Sequence, residues 1–527
     1  MPKIVNKTLV FPISGVARRD GYEQTPPFAT PWAVNVRGIC SLERRKRGGS
    51  RPGLVAASDG ALATPIEALL PITYLDSAGK RQCDLVAVAG GIIHVVKNGS
   101  ITVLSTFLMI GDVDVLIDDE EIEFGAESNA TDATERNGLL YIADDVLKTY
   151  NPNTGIVEEI AATSGTIPQD CPYIALYRDR VILAGENHVW YASRQSDPTD
   201  WNFGADMGDV GRAVAGQVER SGRIGDTITA LIVAGDNALI FASENQMWVL
   251  RGDPTVGDIS KISGGIGVLS NSAWAIAPDN AVAFLSNDGV YVMLAGSTEP
   301  PQRWSADRVP DELRDVDSSE NVITMEYDVR SRGFHLYIVP SSGVGQHWFL
   351  DYANRALWPV VLRDGHQPLA MARLHSSGAE DVILGCRDGY LRKFDDDADT
   401  DDGHEIESHA TIGPFKLATG EMSDALLNEI HGIMAHSGIS TVRWGVIVGS
   451  SAEDVADKAE AAIKAHLARQ DVNGVFCYGE WHGGRNIVSR PRARGPWAAI
   501  WLMSHDAWAY ESIAVRINQL GRIRHGY

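Results

Sequence analysis

Seven short phrases of one kind constrain this chain more than any other feature. Each has a run of aliphatic, β-branched and aromatic residues, a tight turn, and a second such run. They are DLVAVAGGIIHVV from Asp84, GLLYIADDVLKTY from Gly138, RVILAGENHVWYA from Arg180 and NALIFASENQMWVL from Asn237. AVAFLSNDGVYVM from Ala281, FHLYIVPSSGVGQHWFL from Phe334 (with a wider turn) and DVILGCRDGYLRKF from Asp381 complete the set. Apolar strands around Gly, Asn or Asp turns are hairpin chemistry. The spacing, roughly 40 to 60 residues, is that of four-stranded blades around an axis. A β-sandwich also has evenly spaced turns, but it does not account for seven hairpins in sequence order between Asp84 and Phe394. The predicted fold is mainly β: a six- or seven-bladed β-propeller with an N-terminal extended arm and a C-terminal β-rich domain containing one helix. The boundaries fall at residues 1–65 for the arm and first strands, 66–403 for the propeller, and 404–527 for a β-rich platform or docking domain.

The arm announces itself by composition. Between Glu23 and Leu54 the chain is first Pro-rich (Pro26, Pro27, Pro31), then basic (Arg44, Arg45, Lys46, Arg47), then Gly-rich. The prolines prevent helix and favour an extended path. The basic cluster reads as a nucleic-acid patch, a solvated turn or a subunit contact. After the last hairpin, DDDADTDDGHE from Asp395 lacks the Gly position of an EF-hand loop, since Gly403 falls one place late. It reads as a solvated inter-domain turn. Further on, SSAEDVADKAEAAIKAHLARQ opens with a capping-box pattern, Ser450 to Glu453, and carries an apolar stripe at Val455, Ala459, Ile463 and Leu467. That spacing predicts a helix. WAAIWLM and ESIAVRI after it read as strands.

Charge and cysteine usage narrow the function classes. The chain carries 69 acidic residues against 46 Lys and Arg, for a net charge of −23. A general nucleic-acid-binding surface needs cations to neutralise phosphates, so this balance argues against one. It does not exclude a wall past which nucleic acid slides without sticking. The five cysteines, Cys40, Cys83, Cys171, Cys386 and Cys477, are odd in number and far apart. They read as free thiols of a protein folded in a reducing compartment. The first 19 residues have a short apolar run interrupted by Pro12, a poor leader peptide, and no apolar run is long enough to form a membrane helix. No metal framework, cofactor-binding motif, nucleophile elbow or Walker-type loop appears. GGIGVLS at Gly264 lacks the Rossmann spacing and reads as a turn. WYASRQSDPTDWN, Trp190 to Asn202, has the composition of a sialidase Asp-box without its glycine. Asp197-Pro198 there should break a strand, and Trp201 should pack between adjacent blades.

Taken in order, four stretches resemble the tail nozzle, or tail hub, proteins of short-tailed bacteriophages, the tail tubular protein B-like and tail accessory factor-like families. The stretches are WAVNV (Trp32 to Val36) leading to SRPGL (Ser50 to Leu54), and LYRDRVILAGENHVWYASRQSDPTDWN from Leu176. ALIFASENQMWVLRGD with the following GGIGVLSNSAWAIAPDNAVAFLSNDGVYVM, and SRPRARGPWAAIWLM with the closing strands to GRIR, are the others. The resemblance covers most of the chain and rests on the order of short motifs. The acidic DDDADTDDG loop and the alanine-rich helix have no counterpart in it, so no fibre-docking role passes to them.

The resemblance implies a structural, non-enzymatic virion protein assembled in the host cytoplasm. It implies a homo-hexameric ring below the head–tail adaptor protein, with tail fibres as further partners and genomic DNA passing through without sequence-specific binding. Six copies at −23 each sum to roughly −140, a lumen that repels the DNA backbone. Asp118, Asp119, Glu120, Glu121 and Glu123 lie in an acidic run between the first two hairpins and read as a lumen or gate, or as a solvated outer loop. Arg490, Arg492 and Arg494 alternate, so on a strand they share one face and suit a carboxylate-bearing subunit contact; alternatively they flank a turn at Pro491. Competing function classes are a propeller adhesin for host polysaccharide and a propeller hydrolase with a carboxylate pair at the axis. Replacing Asp118, Asp119, Glu120 and Glu121 by Ser is expected to leave assembly intact and to change DNA retention or release. Unchanged ejection kinetics in virions carrying the variant would remove the gate reading.

Overall fold

The computed structural model describes residues 4–522 except 25, 27, 41, 43–44, 98, 104–131, 144–145, 186–187, 218–226, 295–298, 310, 377–378, 421–422, 437–440 and 468–475. Its largest part is a seven-bladed β-propeller. Every predicted hairpin forms the second and third strands of one blade. Blade I is Ile66–Leu75, Arg81–Ala89, Ile92–Lys97 and Ser100–Val103; blade II is Asp132–Arg136, Leu139–Ala143, Leu147–Asn151 and Ile156–Glu159. Blade III is Tyr173–Tyr177, Arg180–Ala184, Val189–Ala192 and Val214–Gln217; blade IV is Ala230–Val233, Ala238–Ala242, Gln246–Arg251 and Asp258–Gly264. Blade V comprises Trp274–Ile276, Ala281–Ser286, Gly289–Leu294 and Gln302–Arg303; blade VI comprises Asn321–Asp328, Gly333–Pro340, Gln346–Asp351 and Ala356–Val360. Within each, consecutive strands pair antiparallel.

Burial follows radius. The second strands Arg180–Ala184, Ala238–Ala242 and Ala281–Ser286 are buried at every residue, because a blade is covered by a neighbour on each face. Outer strands such as Ser100–Val103 and Ile156–Glu159 alternate or face water. A strand covered on both sides is apolar over nearly all its length, with polar residues such as Arg180 and Ser286 only at its ends, which is why the middle hairpins stand out in the sequence.

Blade VII closes the ring with a strand from elsewhere in the chain. Its first three strands are Pro368–Ser376, Ala379–Cys386 and Leu391–Asp395, and its fourth is Gly53–Ala56 from the arm, with Leu54 opposite Phe394. Gly53 is required here: a Cβ would sit 2.3 Å from the Thr400 carbonyl oxygen. Beside it the Arg51 guanidinium is fully buried and meets Asp401 in a two-pronged contact, Nη1 to Oδ1 at 2.8 Å and Nη2 to Oδ2 at 2.5 Å. Asp401 Oδ1 also accepts the Leu54 N–H. The acidic loop expected to be solvated is therefore in part a buried counter-ion for the arm. Arg37 is a second buried cation of the arm: its Nη1 donates to Ser331 Oγ at 2.9 Å, and its guanidinium lies 3.8 Å from the Phe349 ring centroid. Burial pushes it down to about 10.

The C-terminal module has three layers. One sheet is ordered Ile4–Leu9, Tyr510–Arg522, Ser423–Met434, with Gly484–Arg485 and Ala493–Gly495 on the far edge. The second is Ala33–Val34, Ser408–Lys416, Trp497–Ser504, Thr441–Gly449 and Phe476–His482. Their facing sides share a core that includes Leu427, Ile430, Val446, Ile500, Ile513 and Val515 and runs on into blades V and VI. The helix Ala452–Leu467 covers the other side of the second sheet, with Val455, Ala459 and Ile463 against Ile447, Ala499 and Trp501. Its cap lies one residue later than the sequence pattern suggests: Ser451 Oγ accepts the Asp454 N–H at 3.0 Å, and the Asp454 carboxylate accepts the Ser450 N–H.

The division at 1–65, 66–403 and 404–527 therefore takes a different form. Ile4–Leu9 and Ala33–Val34 are strands of the C-terminal sheets, while Gly53–Ala56 belongs to the propeller. The arm is shared because its edges pair with partners remote in sequence. Between the modules it lies along the outer strand of blade VI, where Val16 N donates to Leu357 O and Asn35 N to Pro359 O, each at 3.0 Å.

Removing one half of the buried Arg51–Asp401 pair strands the other charge. Asp401→Ala is expected to cost about 3–5 kcal/mol, whereas the double replacement Arg51→Met/Asp401→Leu recovers most of it. Urea denaturation followed by tryptophan fluorescence, for both variants, checks this.

Candidate assembly surface and central channel

Asp118, Asp119, Glu120, Glu121 and Glu123 lie outside the described residues. The other predicted site, Arg490, Arg492 and Arg494, falls on the edge of the first C-terminal sheet. Only Ala493–Gly495 is strand there, and Arg492 has φ +51°, a left-handed turn conformation. The three arginines thus do not share one strand face over their full span, since a left-handed residue breaks the alternation. Two of them still converge on the strand Ser423–Met434. Arg494 Nε lies 3.0 Å from Asp424 Oδ2, and Arg490 Nε lies 3.6 Å from Glu429 Oε1, with side chains 64% and 67% exposed. Glu429 is shared, because Arg516 Nη1 reaches its other oxygen at 3.3 Å. Arg485, also exposed, directs Nε to His431 Nε2 at 3.4 Å.

The segment that carries these cations is tied down at two points. The Asn486 side chain accepts the His482 N–H at 2.8 Å and donates to the His482 and Gly484 carbonyls. Ser489 exchanges both backbone hydrogen bonds with Ile430, each at 2.9 Å. Between these ties Ile487 is 89% exposed, with Val488 exposed beside it. Exposed aliphatic residues on a tied segment that also carries exposed arginines have the mixed composition of a contact surface, apolar residues with charged neighbours along the same stretch. The alternation of arginines hinted at this surface in the sequence; the Asn486 and Ser489 ties left no pattern there.

The Asp-box-like stretch is structural. Trp201, 1% exposed, sits among Tyr141 and Leu147 of blade II and Ile174 and Val181 of blade III, with its Nε1 donating to Pro198 O. Asp197 Oδ1 accepts from Thr199 N and Oγ1 in an Asx turn. The fully buried Arg180 clamps the rest of the insertion, residues 193–213 between the third and fourth strands of blade III, by donating to the carbonyls of Ser193, Val210 and Arg212.

The innermost strands of the seven blades enclose a cavity of about 1400 Å³ along the propeller axis. On its wall between blades VI and VII, Arg373 lies 2.9 Å from Glu326 and 3.6 Å from Glu380. Burial raises the Glu326 carboxyl above the usual carboxylate range, and the Arg373 charge opposes that rise. Glycoside hydrolysis asks for two carboxylates across a substrate-wide gap; these two share one guanidinium. Among the described residues, no three His, Cys, Asp or Glu side chains converge as metal ligands.

Asn486→Ala is expected to free the Ile487 tip and to speed tryptic cleavage after Arg485 and Arg492 several-fold while leaving the melting temperature of the rest unchanged. Limited proteolysis with mass-spectrometric mapping reads this directly.

No family model matches the chain, and no curated protein matches its sequence. Among solved structures it is similar to the extracellular domain of the putative hybrid two-component system BT4673 from B. thetaiotaomicron, at 15% identity and a TM-score of 0.41. That match covers 74% of this chain and 44% of the other, so this chain spans under half of that domain. It is also similar to U3-55K (10% identity, TM-score 0.39, 65% of this chain and 99% of that one) and to BamB from Moraxella catarrhalis (12%, 0.33, 66% and 93%).

Proposed function

We propose that this chain is a structural virion protein, the subunit of a hexameric tail nozzle that extends and closes the DNA ejection channel of a short-tailed bacteriophage below its head–tail adaptor. The observation that carries the reading is the exposed, pinned arginine segment 485–494 on a chain whose net charge is −23. A strongly acidic protein that concentrates exposed arginines on one segment, together with exposed aliphatic residues, is equipped to hold acidic copies of itself. The order of sequence motifs along the chain supports the same family. So does the firm joining of propeller and sandwich through the arm, since a conduit wall under internal pressure needs modules that do not swing.

In this reading the acidic majority of the surface faces the passing polyanion and keeps it from adhering. The acidic run Asp118 to Glu123 contributes to that wall or to its gate. The arginines face neighbouring subunits. No catalytic step is involved, and tail fibres and the adaptor are the protein partners.

Purified protein viewed by negative-stain electron microscopy, with its mass from light scattering, is expected to give six-fold rings with an axial pore. A gel-shift assay at about 150 mM salt is expected to show no retention of linear duplex DNA. A lone particle without a pore, at any protein concentration, overturns the proposal.

A further inference from the structure

The three-layer C-terminal module has two outer surfaces, and they differ in charge. On the outer side and edge of the first sheet stand Arg485, Arg490, Arg494 and Arg516, against the carboxylates of Asp424 and Glu429. Arg492 adds a further exposed cation on the same segment. Glu429 alone serves both Arg490 and Arg516, so positive charge is in excess there. At the opposite surface the helix Ala452–Leu467 turns Glu453 and Asp457 to solvent. Its two lysines are already engaged along the helix, Lys458 with Asp454 at 2.9 Å and Lys464 with Glu460 at 2.5 Å. This surface therefore carries an excess of negative charge.

We infer that these two surfaces meet between copies of the chain: the Arg485–Arg494 segment and its sheet face on one subunit against the outer face of the helix on the next. The inference rests on the proposed ring and names the contact that builds it. Self-pairing of the arginine surface about a two-fold axis would bring like charges together, which costs free energy. Pairing with a different surface avoids this, and a contact between two different surfaces repeats by one rotation, giving a ring where that rotation closes and a filament where it does not; the proposed ring takes the closed case. Ile487, 89% exposed and held between the Asn486 and Ser489 ties, supplies the apolar centre. On the helix, the small exposed Ala461 leaves room for an aliphatic tip between Asp457 and Lys464. A phosphate backbone would engage the guanidinium groups but offers nothing to Ile487 and Val488, so a second copy fits the surface better than nucleic acid does.

The test uses full-length chains. Ile487→Cys and Asp457→Cys proteins, purified separately and mixed under mild oxidation, are expected to give a disulfide-linked dimer that neither forms alone beyond the wild-type background. Arg490→Glu/Arg494→Glu is expected to raise the apparent subunit dissociation constant about tenfold or more. Adding Glu453→Lys/Asp457→Lys to the same chain is expected to restore assembly, because the swapped charges again oppose. If the arginine double variant misfolds, Ile487→Asp, at a site exposed enough to spare folding, replaces it and is expected to weaken assembly. Rings that persist in these variants with no cross-link place the contact elsewhere and overturn the inference while leaving the nozzle reading intact. A wild-type chain that stays monomeric removes the ring itself. Variants that assemble normally but lose affinity for DNA assign the surface to nucleic acid and also overturn it.

Discussion

A propeller is a ring made from a chain with two ends, and the way it is closed decides whether it holds. Here the closing strand is Gly53–Ala56, laid against Leu391–Asp395. Without it blade VII would present an open edge of unpaired backbone groups. The strand is locked by Arg51, whose buried guanidinium makes its two-pronged contact with Asp401 and also receives help from Asn35, whose Oδ1 accepts the Arg51 Nε–H at 3.0 Å. Asn35 itself adopts a left-handed conformation and reaches three ways, to Arg51, to Val361 N and to Glu407 O. One side chain thus joins the closing strand, blade VI and the entry to the C-terminal module. Ring closure and docking of the sandwich are a single structural event.

The arginines divide into two populations with different work. Arg51, Arg180 and Arg392 are among the largest fully buried side chains, and each stands where irregular backbone would otherwise be unsupported. Arg180 gathers carbonyls of the blade III insertion, and Arg392 bonds Asp388 and Asp402. A planar group with five donors in a fixed fork reaches more acceptors, spread over a wider arc, than the three donors of a lysine ammonium. The other population, between Arg485 and Arg516, is exposed and shares too few carboxylates. In a chain this acidic, that leftover charge is a local reversal of sign, and it gives the surface a direction.

Much of the fold was legible because burial on both faces writes an uninterrupted apolar run. The seven hairpins map onto the middle strands of seven blades for that reason. Inner and outer strands such as Asp132–Arg136 and Asp258–Gly264 carry polar sequences, since only part of each is covered, and these gave no signal. The helix was legible from its stripe, with its cap displaced by one residue because Ser450 and Ser451 offer the same chemistry. The arm was not. Its prolines show that it is extended, but nothing local says that Leu54 lies opposite Phe394 or that Asp401 is the partner of Arg51. The same holds for the arginine segment: alternation suggested one face, and the left-handed turn at Arg492 changed it. Features fixed by distant contacts leave no periodicity to read.

The pairing of Ile4–Leu9 with Tyr510–Arg522 has a consequence for biosynthesis. The Tyr510 hydroxyl donates to the Leu9 carbonyl oxygen across 501 residues of sequence. On a ribosome the first of these strands emerges long before its partner exists, so it must wait, unpaired, while the blades form behind it. The sandwich can set only when translation has delivered its last strand. A nascent chain therefore lacks a finished C-terminal module, and any surface built from that first sheet is completed only after the strand Tyr510–Arg522 has emerged.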